Sequence, residues 1–372
     1  MKRLLLLGGG HAHLFVLEAF IKSKLHGVEL ILVTPERLAP YSGMMPGVIA
    51  GHYRYEQACV DLDPLCRASG CKLRHTRVVR LHPAQRRVEC EDGSQLEYDL
   101  LSIDTGSTPP AFGIQGVHHY ARLIKPIGRF IESWEAFCKT LDSTRRCSIT
   151  MVGGGAAGFE VILAMRNRLK PGTGGLATPV LNLVSDMPGI LPEFPSDVRW
   201  RAERALRERG VAILTGTPVL RVEREAVVLG DGGSIASDFT VWATGASAPA
   251  WPRDAGLAVD ERGFILVDRT LRSLSHEEIF AAGDVASMAG EPRPKAGVWA
   301  VRAGPPLANN LRGALLGLPP GTYKPQRRAL ALLSAGERHA IGNWGPFAWE
   351  GRWVWNWKDR IDRAFVGRFS VA

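Results

Sequence analysis

No cysteine follows position 147 in this chain of 372 residues, and the six before it form neither a Cys-x-x-Cys pair nor a cluster with zinc-ligand spacing. Those spacings are what a thioredoxin-type dithiol or a structural zinc needs. Cys59, Cys66, Cys71, Cys90, Cys138 and Cys147 are therefore expected to be reduced, structural thiols, with Cys59 and Cys66 spaced to face each other across a loop. No metal site is expected. Long apolar runs are missing too. Nothing approaches the roughly 20 apolar residues of a membrane span. The leucines at 4–7 stop at Gly8, short of the roughly 7–15 residues of a signal-peptide core. A cytoplasmic protein is the expectation. Zinc-finger, helix-turn-helix and aromatic RNA-binding signatures are absent, so nucleic acid is not the expected partner. The formal net charge of +9 then asks for a different anion: dinucleotide phosphate or an anionic lipid surface.

What is present is a globular composition, 45% apolar and 22% charged, organised as a repeat. KRLLLLGGGHAH (2–13) is answered by CSITMVGGGAAGFE (147–160), and VECEDGSQLEYDLLSIDTGSTP (88–109) by VVLGDGGSIASDFTVWATGASAP (227–249). Each copy reads as apolar strand, glycine turn and helix, then a strand pair turning at Asp-Gly and a Thr-Gly stop. One dinucleotide-binding unit built twice implies an α/β chain that holds two dinucleotides face to face, an arrangement suited to electron transfer.

In the first unit the leucines at 4–7 predict a buried parallel strand, 13–25 a helix with Leu14, Leu17, Ile21 and Leu25 on one face and Gly27 as its C-cap, and 28–33 the next strand. Strand, glycine turn, helix, strand is the context that gives a glycine motif its meaning. Gly8 permits the tight turn, Gly10 lets backbone approach a pyrophosphate, and the helix N-terminus offers N–H groups to it. His13 stands where a third glycine is usual, and Thr34 and Pro35 stand where an acid is usual, with Glu36 just beyond. Glu36 is either a ribose ligand or a solvated loop acid. His11 and His13 are either phosphate contacts or packed and capping side chains. In the second unit Gly153, Gly155 and Gly158 complete G-x-G-x-x-G, a helix is expected over 157–170 ended by Pro171 and Gly172, and Asp186 sits at the tip of strand 180–184. No arginine immediately follows Asp186, which favours NADH over NADPH.

A further segment, HEEIFAAGDVA (276–286), reads as an apolar strand ending at Gly283 and Asp284. With GGGHAH, IDTGSTP, GGGAAGFE and ATGASAP it resembles, in order, the fingerprints of two-dinucleotide-binding-domain flavoproteins, the pyridine nucleotide-disulfide oxidoreductase superfamily. PYSGMMPGVIAGHY (40–53), IKPIGRFIESWE (124–135) and PKAGVWAVRAGPPLANNL (294–311) are similar to the flavoprotein module that precedes some selenide, water dikinases. That branch is related to type II NADH dehydrogenases and sulfide:quinone oxidoreductases. The resemblance implies two Rossmann-like, glutathione-reductase-like domains. An FAD domain would span 1–115 and 255–325, an inserted NAD(P) domain 116–254, and a C-terminal segment 326–372. It further implies FAD as cofactor and NAD(H) or NADP(H) as co-substrate. Thr105 and Gly106, Thr244 and Gly245, Pro40 and Tyr41 would line the cofactors, and Asp284 would bond the ribityl chain. Ala296, Gly297 and Val298 would start a helix aimed at the flavin. Lys295 would support the reduced ring there, or be a solvated loop residue. Glu160 would be an exposed first-turn acid, or point between the cofactors as a catalytic group. Lys125 matches a motif lysine of the branch and reads equally as a surface lysine.

The loop 41–47, where disulfide reductases carry their redox pair, has no cysteine, so hydride would pass directly from nicotinamide to flavin and on to a small acceptor, a quinone among them. The stretch 296–304 carries Trp299 and Arg302 in place of the glutamines of a quinone pocket. A sulfide or selenium-compound oxidoreductase and an NADH-sensing flavoprotein without turnover are the alternatives. In the tail, Trp353, Trp357, Ile361, Ala364 and Phe365 fall on one helical face, with Lys358, Arg360, Arg363 and Arg368 mostly elsewhere. That pattern fits a helix lying on the inner face of the membrane, or one packed over the flavin domain or against a second subunit in a homodimer.

Overall fold

Leu4, Leu5, Leu6 and Leu7 are all buried, as a strand covered on both faces requires. In the computed structural model, which describes residues 1–110, 113–141, 146–170 and 177–371, they belong to strand Lys2–Leu7 at the centre of a five-stranded sheet. Its order is Ile279–Ala281, Leu100–Ile103, Lys2–Leu7, Val28–Val33, Lys72–Arg74, and every pairing is parallel. From the central strand the chain runs through helix His11–Lys22 to Val28–Val33 on one side. It returns to the other side only at Leu100–Ile103. The order therefore reverses between Lys2–Leu7 and Leu100–Ile103, the place where doubly wound sheets leave a ligand crevice.

The second half repeats this plan. Ala121–Leu123, Phe239–Trp242, Ser148–Val152, Val180–Val184 and Val211–Leu214 form a parallel sheet in that order, reversing between Ser148–Val152 and Phe239–Trp242. Each sheet has a three-stranded antiparallel companion, Val78–His82, Arg87–Cys90 and Gln95–Glu97 in one case, Val219–Val222, Ala226–Leu229 and Ser234–Ala236 in the other. Both companions turn at the expected Asp-Gly pair, where Asp92 accepts from the Ser94 amide (3.0 Å) and Asp231 from the Gly233 amide (2.8 Å). The two copies are joined at equivalent points. Thr108 and Ser247, each two residues beyond a Thr-Gly pair, exchange backbone hydrogen bonds of 3.0 and 2.7 Å.

Several boundaries differ from expectation. The first helix starts at His11 and ends at Lys22 with Ser23 as its C-cap, so Ile21 is exposed and Gly27 makes a separate left-handed turn (φ 74°) into the next strand. The glycine turn sets the start, two residues earlier than apolar spacing suggests. The second helix spans Ala156–Arg168; Pro171 and Gly172 lie outside the described residues. Cys66 faces Cys71 rather than Cys59, whose thiol meets Tyr55.

The C-terminal segment is an antiparallel sheet, Ala331–Ser334, Ala340–Trp344 and Phe347–Gly351, followed by helix Arg352–Arg368. Its faces are the reverse of an aromatic-inward helix. Val354, Lys358, Asp362 and Val366 are buried, while Trp353, Trp357 and Ile361 are exposed. The Lys358 ammonium donates to Asp362 (2.6 Å) and to the Gly43 carbonyl, so the inward face carries an ion pair and the aromatic stripe is the outward one. The segment reaches both units: Glu350 meets Arg201 at 2.8 Å, and Arg368 meets Glu18 at 2.8 Å. Breaking one side of a buried pair strands the other charge. Lys358→Ala is expected to lower unfolding free energy by about 3–5 kcal/mol, and Lys358→Met with Asp362→Leu to recover most of it, as read by urea denaturation.

Candidate active site

The crevice of the first sheet opens into a cleft of about 460 Å³. Its wall runs from Val33, Thr34 and Glu36 past Gly8, Gly10 and His11 to Thr105, Gly106, Lys125 and Asp284, and ends at Pro40, Ser42, Gly297 and Ala300. An elongated groove over a glycine turn is the shape a dinucleotide needs. Gly8 has φ 91°, and a methyl group there would lie 2.4 Å from the Asp104 carbonyl oxygen. A methyl at Gly10 would lie 2.2 Å from the Asp104 carboxyl carbon. Both glycines are thus required by packing as well as by any ligand, and the cradle fits a flavin dinucleotide.

The sequence candidates separate on inspection. Gly8, Gly10, His11, Glu36, Pro40, Thr105, Gly106, Asp284 and Gly297 line the cleft; Glu36 is exposed there, at the end of strand Val28–Val33. Ala296 is the N-cap of helix Gly297–Leu316, and Val298 lies in its first turn. Tyr41 is not in the cleft wall; it stacks on Phe365 (4.4 Å between centroids) beside His11 (5.3 Å), so an aromatic group backs the end of the cleft formed by Pro40 and Ser42. Burial pushes the His11 pKa down, leaving it neutral.

His13 sits behind the cleft instead of in its wall. Its Nδ1 meets the Gly8 carbonyl at 2.7 Å and its Nε2 meets Ser102 Oγ at 2.8 Å. Burial lowers its pKa to about 4, so the ring is a neutral strap between helix and sheet. In the second unit the equivalent Gly158 touches the equivalent carbonyl directly: a methyl there would lie 1.9 Å from the Gly153 oxygen. The missing third glycine is thereby explained, since a ring spans the gap that a bare Cα closes elsewhere.

Lys125 is no free surface lysine. Its ammonium donates to Asp284 (3.0 Å) and Ser107 (3.0 Å), tying the chain that enters the second unit to the end of the first. Lys295 does not line the cleft. It lies in a neighbouring cavity of about 60 Å³ that shares Asp284, donates to the Ala286 carbonyl and covers the Phe264 ring at 3.9 Å. Burial lowers its pKa to about 8. Trp299 is in the same cavity, flanked by the guanidinium groups of Arg293 and Arg302, and not in the cleft wall.

Glu160 is half-buried where the sequence offered an exposed first-turn acid: it accepts a hydrogen bond from the Ser334 amide (2.7 Å) and faces Lys358 and Asp362 of the C-terminal helix. Burial raises its pKa to about 7, against the opposing pull of Lys358. Asp362 in turn meets the Tyr41 hydroxyl. A polar group of buried Lys358 and Asp362 with half-buried Glu160 and Tyr41 therefore lies between the second unit and the aromatic end of the cleft. Sequence reasoning missed Asp362 and the inward role of Lys358, because the partners come from segments about 200 residues apart.

In the second crevice Gly153 has φ 123°, and its methyl would lie 2.5 Å from the Ala243 carbonyl, repeating the Gly8 contact. Gly155 has nothing within 4 Å on its side-chain side, leaving room above the helix start. Asp186 is exposed at the strand tip, and Thr244 Oγ1 donates to the Pro110 carbonyl (3.1 Å) just before Gly245. Of the six thiols, Cys59 is paired in register with Pro40 of the cleft wall; burial pushes it up to about 12, which makes it a poor nucleophile.

Two crevices of one design, opened by glycine turns and joined at equivalent strand ends, define a two-dinucleotide oxidoreductase. The chain belongs to the pyridine nucleotide-disulphide oxidoreductase family, whose model matches residues 2–304. Among relatives, a probable ferredoxin reductase of Castellaniella defragrans is 28% identical over 298 residues, 76% of this chain and 68% of that protein. A type II NADH:quinone oxidoreductase of Staphylococcus epidermidis is 24% identical over 339 residues, 85% of this chain and 83% of that protein. The fold is shared with sulfide:quinone oxidoreductase from Aquifex aeolicus (TM-score 0.82, 18% identity, 99% of this chain and 91% of that one). It is also shared with NDH2 from Plasmodium falciparum in complex with NADH (TM-score 0.82, 13% identity, 99% and 97%). Gly158→Ala is expected to force the second helix off its strand and raise the Kd for NADH at least about tenfold, a loss of about 1.4 kcal/mol, with flavin content unchanged. NADH fluorescence titration measures it.

Proposed function

We infer that this protein is an FAD-dependent NAD(P)H oxidoreductase that moves hydride from nicotinamide to flavin and electrons onward to a small acceptor, a quinone among them, without a redox disulfide. The duplicated crevice carries this reading. FAD occupies the part formed by 1–115 and 255–325, the nicotinamide cofactor the part formed by 116–254, and 326–372 covers the acceptor side. When bound, FAD supplies the hydride-accepting ring, and the protein supplies binding, orientation and electrostatics. The N–H groups at Gly10 and His11 would hold the pyrophosphate, Glu36 the adenine ribose, and Asp284, oriented by Lys125 and Ser107, the ribityl chain. Asp186, with Met187 and Pro188 after it and no arginine, favours NADH.

Glu160 is the proton-holding group on the acceptor side. With a pKa near 7 it carries a proton below neutrality and loses it above, as a general acid for an acceptor reduced by two electrons must. Anaerobic NADH is expected to bleach the yellow protein, and an added quinone to restore the colour. Restoration slows as pH rises through about 7. Glu160→Gln leaves bleaching intact, slows restoration and removes that pH dependence. Flavin left oxidised by NADH would sink the reading; a long-lived reduced complex that no acceptor discharges would favour a sensor. Sulfide chemistry is disfavoured by the lack of cysteine beyond 147.

Peripheral membrane contact is the finer part of the reading. Among the described residues no helix is long and apolar enough to cross a membrane. The C-terminal helix nevertheless presents Trp353 (56% exposed), Trp357 and Ile361 outward, beside Phe347 (67%) on the preceding strand. Tryptophan with flanking arginine suits the interface of an anionic bilayer. Trp353→Ser with Trp357→Ser and Ile361→Ser, which spares the buried face, is expected to release the protein from anionic liposomes in a flotation assay. Unchanged retention would remove the proposal, and loss of a dimer by light scattering would assign the stripe to a second copy instead.

A further inference from the structure

The two units differ inside one pair of matching segments, IDTGSTP (103–109) and ATGASAP (243–249). Immediately before each Thr-Gly pair, at the strand end where the sheet order reverses, the first unit has Asp104 and the second has Ala243. Their backbones do the same work, packing against Gly8 and Gly153. Only the first adds a carboxyl group.

That carboxyl is a built part of the cleft floor. Asp104 is 3% exposed and lines the cleft, and its Oδ2 accepts from the amides of Ala12 (2.8 Å) and His13 (3.3 Å). It caps the first helix in trans, which the N-cap residue, Gly10, has no side chain to do. Two glycines clamp it: a methyl at Gly10 or at Gly283 would lie 2.2 or 2.3 Å from its carboxyl atoms. Gly10 belongs to the first fingerprint and Gly283 to the last, so both ends of the FAD part meet on this one side chain.

The charges around it do not favour ionisation. Among the described residues no cationic side chain pairs with Asp104. On the helix, His11 and His13 are neutral. From the turn Gly283–Val285 comes the Asp284 carboxylate, and Lys125 of the same cleft wall is bonded to that group and to Ser107. Burial raises the Asp104 pKa to about 7, the two amides pulling the other way. A pyrophosphate laid across Gly8, Gly10 and His11 would add negative charge on the cleft side of Asp104.

We propose that Asp104 is a positioning residue that must hold a proton when FAD is bound, so that FAD binding takes up a proton at the floor of the dinucleotide turn. This rests on the assignment of FAD to the first unit. Neutral Asp104 still caps the helix through its carbonyl oxygen and no longer repels the phosphates; ionised Asp104 competes with them for the positive helix end. The second unit, with Ala243, has no such group and binds its dinucleotide without this linkage.

The sign follows from linkage. Below the pKa of the flavin-free protein Asp104 is already protonated and FAD affinity is flat. Above it the proton must be recovered from solvent, and the Kd for FAD rises about tenfold per pH unit. The test is FAD titration, by flavin fluorescence, into full-length protein stripped of flavin, between about pH 6 and 9, with calorimetry near pH 8 in two buffers of different ionisation heat. Wild type should take up about one proton per FAD there. Asp104→Asn, which keeps the acceptor oxygen, and Asp104→Ala, which copies the second unit, should take up none and show flat affinity. At the top of the range Asp104→Asn should bind FAD more tightly than wild type. An equal pH slope in all three proteins, or weaker binding by Asp104→Asn at high pH, overturns the proposal alone. Wild type that binds no FAD at any pH overturns the assignment beneath it, and the proposal with it.

Discussion

The closest backbone approach in each half, a glycine turn pressed against the end of a neighbouring strand, is the constraint on which the rest of the structure depends. Gly8 packs on Asp104 and Gly153 on Ala243, each at a distance no side chain tolerates. Because the turn is pinned there, the helix that follows starts with its free N–H groups at the reversal point of the sheet. Everything a dinucleotide needs at that point is backbone: donors, a positive helix end and room. The protein repeats the device and welds the copies through Thr108 and Ser247, at the same place in each repeat. The two crevices are joined beside the Thr-Gly pairs that end their sheets' reversal strands.

The copies have since diverged in ways that physical chemistry explains. Where the second helix touches its strand through Gly158, the first uses the His13 ring as a strap between the Gly8 carbonyl and Ser102. Where the second has Ala243, the first has a buried carboxyl clamped between two glycines. Both changes stiffen the first turn from behind, which suits a site for a resident cofactor. The second crevice, open above Gly155, suits a co-substrate that must leave after each turnover.

The C-terminal segment adds what neither repeat contains. It lays Lys358 and Asp362 against Glu160 and Tyr41 and brings Phe365 onto Tyr41, backing the aromatic end of the cleft with a polar interior. A buried ion pair is poor evidence for stability. Its presence beside a carboxyl group poised near neutrality fits proton handling better than it fits packing.

Much of this was legible in the chain. The apolar run at 4–7, the glycine spacings, the Asp-Gly turns and the Thr-Gly stops are local patterns with local causes: strand burial, positive φ and helix starts depend on neighbours in sequence. They determined the duplicated α/β architecture, the two crevices and most of the cleft wall. Pair partners distant in sequence left no such mark. The sequence left open whether the aromatic face of the last helix turns inward or outward, and only contacts of Lys358 with distant segments, such as the Gly43 carbonyl, make the polar face the buried one. Lys295 was drawn toward the flavin and Trp299 toward an acceptor pocket by position in a motif, and both line the adjoining cavity. Asp104 escaped notice entirely, since an acid after an apolar strand reads as a loop residue until Gly10 and Gly283 close on it. Sequence alone decides where the backbone turns and which faces are apolar; charge burial is decided by tertiary structure, because desolvation depends on every element that packs around a group, whatever its distance along the chain.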